Sequence, residues 1–293
     1  MIGSMMRFGK SRRLVPVLML LAALLVTAAA VAQYSRGRSR RDVDPNNLDR
    51  GGVPEWKNDE RFKNDVFTFV RVRYSSYGRG GYGGYGRGGS WATDFPDADL
   101  NFSYRLQQLT ALEVAPDAKV LELTDEALFD YPFIYLIEPG RMYLEEAEVV
   151  ALRRYLLNGG FLMVDDFWGE DEWANFYENI KRVFPDREPR ELPLEHEIFH
   201  CVYDLKTKPQ VPNIHSWYDG ARGTDRPWDP GSREVHYRGI FDDKNRMMAL
   251  ICHNTDIGDA WEREGENTEY FHAYSEKWSY PIGINIVTYA MTH

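Results

Sequence analysis

Apolar residues follow two rhythms along this chain, and their alternation predicts its elements. Phe133 to Ile137 is an unbroken apolar run, the pattern of a strand buried on both faces. Leu144, Ala147, Val150, Ala151, Tyr155 and Leu156 then recur at helical spacing, with Glu145, Glu146, Glu148, Arg153 and Arg154 on the wet face. Asn158-Gly159-Gly160 ends that helix, because glycine adopts the left-handed cap conformation at little cost. Phe161 to Val164 is the next buried strand. Strand, crossover helix and strand joined by short turns form the βαβ unit of a parallel sheet.

The same reading extends over most of the chain. Val66 to Tyr74 reads as the first strand, followed after Asp99 by a helix with Leu100, Tyr104, Leu106, Leu109 and Leu112 inward. Lys119 to Leu123 is a short strand. His236 to Phe241 and Met247 to Cys252 are two more, separated by the turn Asp242-Asp243-Lys244-Asn245. Glu276 to His293 closes the chain as a helix that packs Trp278, Ile282, Ile286, Val287 and Ala290. The prediction is an α/β domain over 64–293, with a mostly parallel sheet flanked by helices on both faces. Within it, 75–90 is a Gly/Tyr/Arg-rich loop of low complexity.

The amino-terminal part changes the picture. Arg7, Lys10, Arg12 and Arg13 precede an apolar run from Leu14 to Val31, and Ala30-Val31-Ala32 has the small-x-small form of a cleavage site. Residues 1–32 therefore read as a signal peptide, or as a signal anchor if uncleaved. Either places the rest outside the cytoplasm, in the periplasm or cell envelope, with membrane contact only through this segment. Residues 33–63 are polar and suit a flexible tether. The formal net charge is -10, and from Trp91 onward 19 basic residues face 38 acidic ones. Such a surface repels nucleic-acid phosphates, so nucleic acid is excluded as a partner.

Candidate chemistry collects where predicted strands end. In open parallel sheets ligands bind beyond the carboxyl ends of the strands. Asp165-Asp166-Phe167-Trp168 follows one strand, and His253-Asn254-Thr255-Asp256 follows another. Trp91 to Asp99 brings Asp94 to the same edge, whereas Asp97 and Asp99 read as helix caps. Carboxylates so gathered raise each other's pKa or recruit a cation. The competing reading is that each separately caps a helix or binds loop amides. His196-Glu197-Ile198-Phe199-His200 matches the H-E-x-x-H zinc pattern formally. That chemistry needs one helix across all five residues, and Pro193 upstream with Cys201-Val202-Tyr203 downstream argues for a turn. His196 is retained as a nitrogen donor in case its turn folds over the edge. Cys201 and Cys252 read as free thiols, with a disulfide as the alternative.

Several segments together resemble a bacterial family known as domain of unknown function 4159. They are Val164-Asp165-Asp166-Phe167-Trp168-Gly169, Leu194 to His200, Asn254 to Glu262, and Tyr289 to His293. The resemblance covers about Phe67 to His293. It implies similarity to the class I glutamine amidotransferase-like fold, which includes the ThuA-like proteins linked to sugar metabolism, and so a flavodoxin-like three-layer sandwich. It also implies where a nucleophilic cysteine would stand, at the turn occupied here by Asp165-Asp166. Neither cysteine lies in a Gly-x-Cys-x-Gly elbow, so glutaminase chemistry is not expected. In the family pattern a proline often stands where this chain has Glu197, which makes the H-E-x-x-H match accidental.

Two functions follow as expectations. The first is a non-catalytic binding or interaction module for a glycan or protein partner, using the carboxyl edge with Trp168, Trp173, Trp217 and Trp261 as stacking surfaces. The second is a metal-assisted hydrolase built on Asp165, Asp166, Asp256 and His253. No cofactor is expected, and the candidate ligand-binding residues are Asp94, Asp165, Asp166, Trp168, His196, Asn254 and Asp256.

Overall fold

The computed structural model describes residues 48–62, 65–76, 90–220 and 223–293. The expected export segment and residues 77–89 of the glycine-rich loop lie outside the described residues. No helix among the described residues is long and apolar enough to cross a membrane.

Among the described residues the strands are β1 (Val70–Arg73), β2 (Ser75–Ser76), β3 (Lys119–Glu122), β4 (Phe133–Ile137), β5 (Met142–Tyr143), β6 (Phe161–Asp165), β7 (Arg190–Glu191), β8 (His236–Phe241) and β9 (Met247–His253). Helices are α1 (Asp97–Leu109), α2 (Glu146–Leu157), α3 (Gly169–Val183), α4 (Ile214–Tyr218), α5 (Ile257–Glu262), α6 (Thr268–Tyr270) and α7 (Tyr280–Thr292). Seven strands form one sheet in the order β3-β1-β4-β6-β9-β8-β7. β3, β1, β4, β6 and β9 run parallel, and β8 and β7 are antiparallel additions at one edge. β2 and β5 pair separately.

Alternation along the strands feeds two cores. Phe69, Phe133, Tyr135, Met163 and Leu250 face Phe102 of α1, Trp261 of α5 and Ile282, Ile284 and Ile286 of α7. Val70, Val72, Ile134, Leu136, Val164 and Ile251 face Val149, Leu152 and Leu156 of α2 and Phe176 and Ile180 of α3. Helices thus cover both faces, and the β4-α2-β6 unit is parallel as its sequence pattern requires, with Phe133 opposite Phe161.

Three expectations are corrected. The ladder of β1 is shorter than Val66 to Tyr74. Phe67 makes a single bridge to Val114, with Ala115 N donating to Phe67 O at 2.7 Å, and the next donor to this strand is Lys119 N, to Phe69 O at 2.9 Å, so the chain bulges out over 116–118 before β3. The closing helix starts earlier than Glu276: the Asn267 side chain caps it by accepting from the backbone N–H groups of Glu269 and Tyr270. It then continues through a wide π-helical stretch, Phe271–Ser279, into α7. Of the expected tether, residues 48–62 are fastened to the domain. Trp56 Nε1 donates to Val114 O at 2.7 Å and its ring lies 5.8 Å from that of Tyr104.

Candidate cation site at the carboxyl edge

Backbone geometry singles out the carboxyl edge before any side chain is considered. Glu138, Asp166 and Asn254 directly follow β4, β6 and β9, three neighbouring parallel strands, and have φ of 48°, 54° and 63°. Asp94, just before α1, has φ of 60°. Left-handed backbone in a residue with a Cβ costs on the order of 1–2 kcal/mol, and such residues concentrate at functional sites.

Asp165 ends β6 and is fully buried. Its Oδ2 accepts from the backbone N–H groups of Ile257 and Gly258, both at 3.0 Å, and from the Tyr135 hydroxyl at 3.1 Å. It therefore anchors the start of α5 from inside the sheet. Among the described residues its Oδ1 meets no donor in hydrogen-bond geometry, while the neighbouring Asp166 N–H favours its ionised form. Burial pushes its carboxyl up to about 7, against the opposing pull of the Gly258 amide. A side chain on Gly258 would not fit, since a Cβ there would lie 2.7 Å from the Tyr135 hydroxyl and 3.1 Å from Asp94 Oδ2.

Next to it, Asp166, Asp225 and Asp256 come from three distant segments and each offers an oxygen within 4.8 Å of the other two. Asp166 Oδ1 accepts from Trp168 Nε1 at 3.0 Å, and Asp256 Oδ1 accepts from Asp259 N at 2.9 Å. Asp225 accepts from the backbone N–H of Asn213 at 2.7 Å and from its side-chain amide. Among the described residues no lysine, arginine or histidine forms an ion pair with any of the three. Two ionised carboxylates within 4.8 Å of each other repel by at least about 3 kcal/mol at an effective dielectric constant near 20. The carboxyls respond accordingly. Burial, then Glu138 and Asp94, hold Asp166 well above the usual carboxylate range. Burial, then Asp166 and Asp259, do the same to Asp256, and burial brings Asp225 up to about 7.

A second triad, Asp94, Asp259 and Glu262, is equally tight. There, however, the chain supplies the counter-charge. Arg263 Nε lies 2.9 Å from Glu262 Oε2 and 3.5 Å from Asp259 Oδ1. Asp259 Oδ2 also accepts from Ile214 N at 2.8 Å and the Tyr270 hydroxyl at 3.1 Å. Likewise Arg71, fully buried in β1, forms an ion pair with Asp99 and donates to Thr93 O at 2.7 Å, which fixes the loop carrying Asp94. Asp99 is thus the partner of an internal arginine rather than a helix cap. The triad left without a cation is Asp166, Asp225 and Asp256.

The remaining predicted residues divide clearly. Asn254 sits at the edge as a bracket, with its amide accepting from Gly169 N and donating to Gly231 O and Glu234 O. Trp168 is buried and positions Asp166. His196 is at the opposite edge: its ring lies 5.7 Å from that of Tyr289, which packs 6.2 Å from Phe161, the first residue of β6. No single helix spans the H-E-x-x-H residues, because His196 caps a 3-10 turn over Glu197–Phe199. Sequence pattern alone does not say which sheet edge a turn overhangs. His253 is buried, with Nε2 at 3.1 Å from Gly169 O and Nδ1 at 3.2 Å from Arg238 Nη1, and burial lowers it to about 3. Trp261 lies in the core, Trp173 is covered by Arg238, whose Cζ is 4.1 Å over the ring, and Trp217 packs on Tyr270. The exposed tryptophan is Trp228. Both cysteines are free thiols, Cys252 buried in β9 and Cys201 exposed. Asp225, Asp259 and Glu262 went unpredicted. The last two sit in the Asp256 to Glu262 stretch, where acid spacing on one helical turn was the available signal.

Fold and edge together define an α/β protein with a mixed, mostly parallel sheet and an internal acidic cluster at its carboxyl edge. The family model for the Domain of unknown function (DUF4159) matches residues 68–291, and the chain belongs to that family. No curated protein matches the chain.

Proposed function

We propose that this chain is an exported binding domain that holds one hard divalent cation at Asp166, Asp225 and Asp256 and engages a glycan or protein partner at that edge. The observation that carries the reading is the convergence of three buried or half-buried carboxylates with no cationic side chain among them. Oxygen-only donors favour calcium, magnesium or manganese over zinc. An ion equidistant from three oxygens at most 4.8 Å apart sits no more than about 2.8 Å from each, close to the 2.3–2.6 Å of calcium–oxygen bonds. Such a spacing suits calcium more readily than magnesium, whose bonds are about 2.0–2.1 Å long. Three protein ligands leave coordination positions for water or for hydroxyl, carbonyl or carboxylate oxygens of a partner. The flavodoxin-like, ThuA-like variant of the fold belongs to this proposal, supported by the family resemblance and the parallel sheet. So does export, supported by residues 1–32, and amino-terminal sequencing of the mature protein should begin at Gln33 unless the segment is retained.

Binding is favoured over metal-assisted hydrolysis because Asp165 and His253, the residues that would move protons, are fully enclosed and committed to backbone partners. The test is calcium titration of the purified protein by calorimetry, with thermal unfolding in calcium and in chelator. One ion per chain is expected, with a stabilisation of about 3 kcal/mol when free calcium reaches a hundred times the dissociation constant. Asp166→Asn and Asp256→Asn should each abolish the shift. Identical unfolding in calcium, magnesium, manganese and chelator would remove the reading.

A further inference from the structure

Alternation along β8 gives one face to Tyr237, in the core, and the other to His236 and Arg238, both half-buried. Glu191 of β7 stands directly opposite Arg238. It pairs with Lys208, with His236 Nδ1 at 3.2 Å and with Arg238 Nε at 3.4 Å. One carboxylate thus serves three basic side chains, in a domain where 19 basic residues stand against 38 acidic ones from Trp91 onward. Against the opposing effect of burial, His236 and Lys208 bring Glu191 down to about 2.

Arg238 is fixed from behind. Its Cζ lies 4.1 Å over the ring of Trp173 in α3, and its Nη1 is 3.2 Å from His253 Nδ1. His253 Nε2 faces Gly169 O at 3.1 Å, a group that only accepts, so Nε2 carries the proton and Nδ1 accepts from the guanidinium. Burial, which lowers His253 to about 3, keeps the imidazole neutral for this task. A fork held by an aromatic face and a buried histidine loses little freedom when it binds. Among the described residues Arg238 Nη2 meets no hydrogen-bond acceptor, and the Nε contact with Glu191 is longer than an ordinary hydrogen bond. Arg71, Arg105 and Arg263 lie above the ordinary arginine value, whereas burial holds Arg238 below it against the pull of Glu191, Glu170 and Glu234. The guanidinium is short of a close anion.

We propose that Arg238, with His236 and Lys208 beside it, is a subsite for the carboxylate of an acidic sugar unit, a uronate. A planar carboxylate matches the guanidinium fork. The flanking acids define the rest of the ligand. Glu170 and Glu234, both exposed, lie within electrostatic reach of Arg238 without pairing with it, so they repel a second anionic group and accept from hydroxyls. A ring with one carboxylate among several hydroxyls meets both conditions, whereas a polyanionic peptide does not. This rests on the glycan part of the reading above and is independent of the cation.

Calorimetric titration of the full chain with sodium glucuronate, glucose and sodium acetate, at constant ionic strength and without added divalent cation, tests the subsite. Glucuronate should bind at least about tenfold more tightly than glucose, which lacks the carboxylate, and than acetate, which lacks the hydroxyls. Arg238→Gln should weaken glucuronate binding by about tenfold to a hundredfold. Arg238→Lys keeps the charge and loses the fork, so its loss should lie in between, and it carries the test if Arg238→Gln does not fold. Glucose or acetate bound as tightly as glucuronate, or glucuronate bound as tightly by either variant as by the wild type, would overturn the subsite and leave the glycan reading standing. If none of the three probes binds, the subsite also falls, and the calcium titration decides the cation separately.

Discussion

Trp168 shows how a residue predicted for one task performs another. Its indole is buried instead of presenting a stacking face, and its N–H fixes the rotamer of Asp166 by occupying Oδ1. Residues that orient a metal ligand typically change affinity by about 10- to 100-fold when altered. Trp168→Phe keeps most of the packing and removes the donor, so calcium affinity should fall by about tenfold with a stability cost of about 1 kcal/mol. Unchanged affinity by calorimetry would separate Trp168 from the site. Asp165, Asp166 and Asp256 were legible because each follows an apolar run that announces a buried strand. Asp225 was not, because WYDGARGTDRPWDPG signals a loop and nothing in a loop's composition tells where it folds back. Arg71 was hidden for a related reason: in VFTFVRVRY it alternates like a solvent-facing residue, and Asp99 across the layer, with the Trp91 and Thr93 carbonyls, makes its burial tolerable.

At the scale of elements, α5 and the ends of β6 and β9 form one electrostatic unit whose pH response has a definite sign. Asp165 and Asp225 titrate near 7 in the fold, and Asp166 and Asp256 are also raised, against an ordinary value of 3.8. A carboxyl raised on folding binds protons more tightly in the native state, so its stability contribution is present at low pH and lost as pH rises through the folded value. His253, lowered from 6.5 to about 3, acts oppositely below 6.5, because the unfolded chain protonates first. Four carboxyls outweigh one imidazole. Cation-free protein should therefore gain stability between pH 8 and pH 5, and saturating calcium should flatten that slope by replacing protons. Denaturant midpoints at four pH values, with calcium and with chelator, read this directly. A cation-free protein more stable at pH 8 than at pH 5 would contradict it. Element boundaries were less legible than the elements: a bulge over 116–118 interrupts the first ladder, and the cap at Asn267 lengthens the last helix.

For the whole molecule, parallel strands and crossover helices were legible because FIYLI and FLMV are apolar on both faces, which only a covered sheet accommodates. β7 carries no such mark, since a two-residue strand has no period to read, whereas β8 and its tight turn into β9 were legible. The placement of His196 failed at this scale, because deciding between the two sheet edges requires the fold around α7. The parallel arrangement makes one edge the meeting point of Asp166 and Asp256, 90 positions apart in the chain, with Asp225 folded in from between. The most direct measurement of the central claim is an anomalous difference map from crystals grown with manganese. The account predicts one peak, bounded by Asp166, Asp225 and Asp256 and absent from Asp166→Asn crystals, with Arg263 still paired at the second triad. A map with no peak there, or with manganese at Asp94, Asp259 and Glu262 instead, would contradict it.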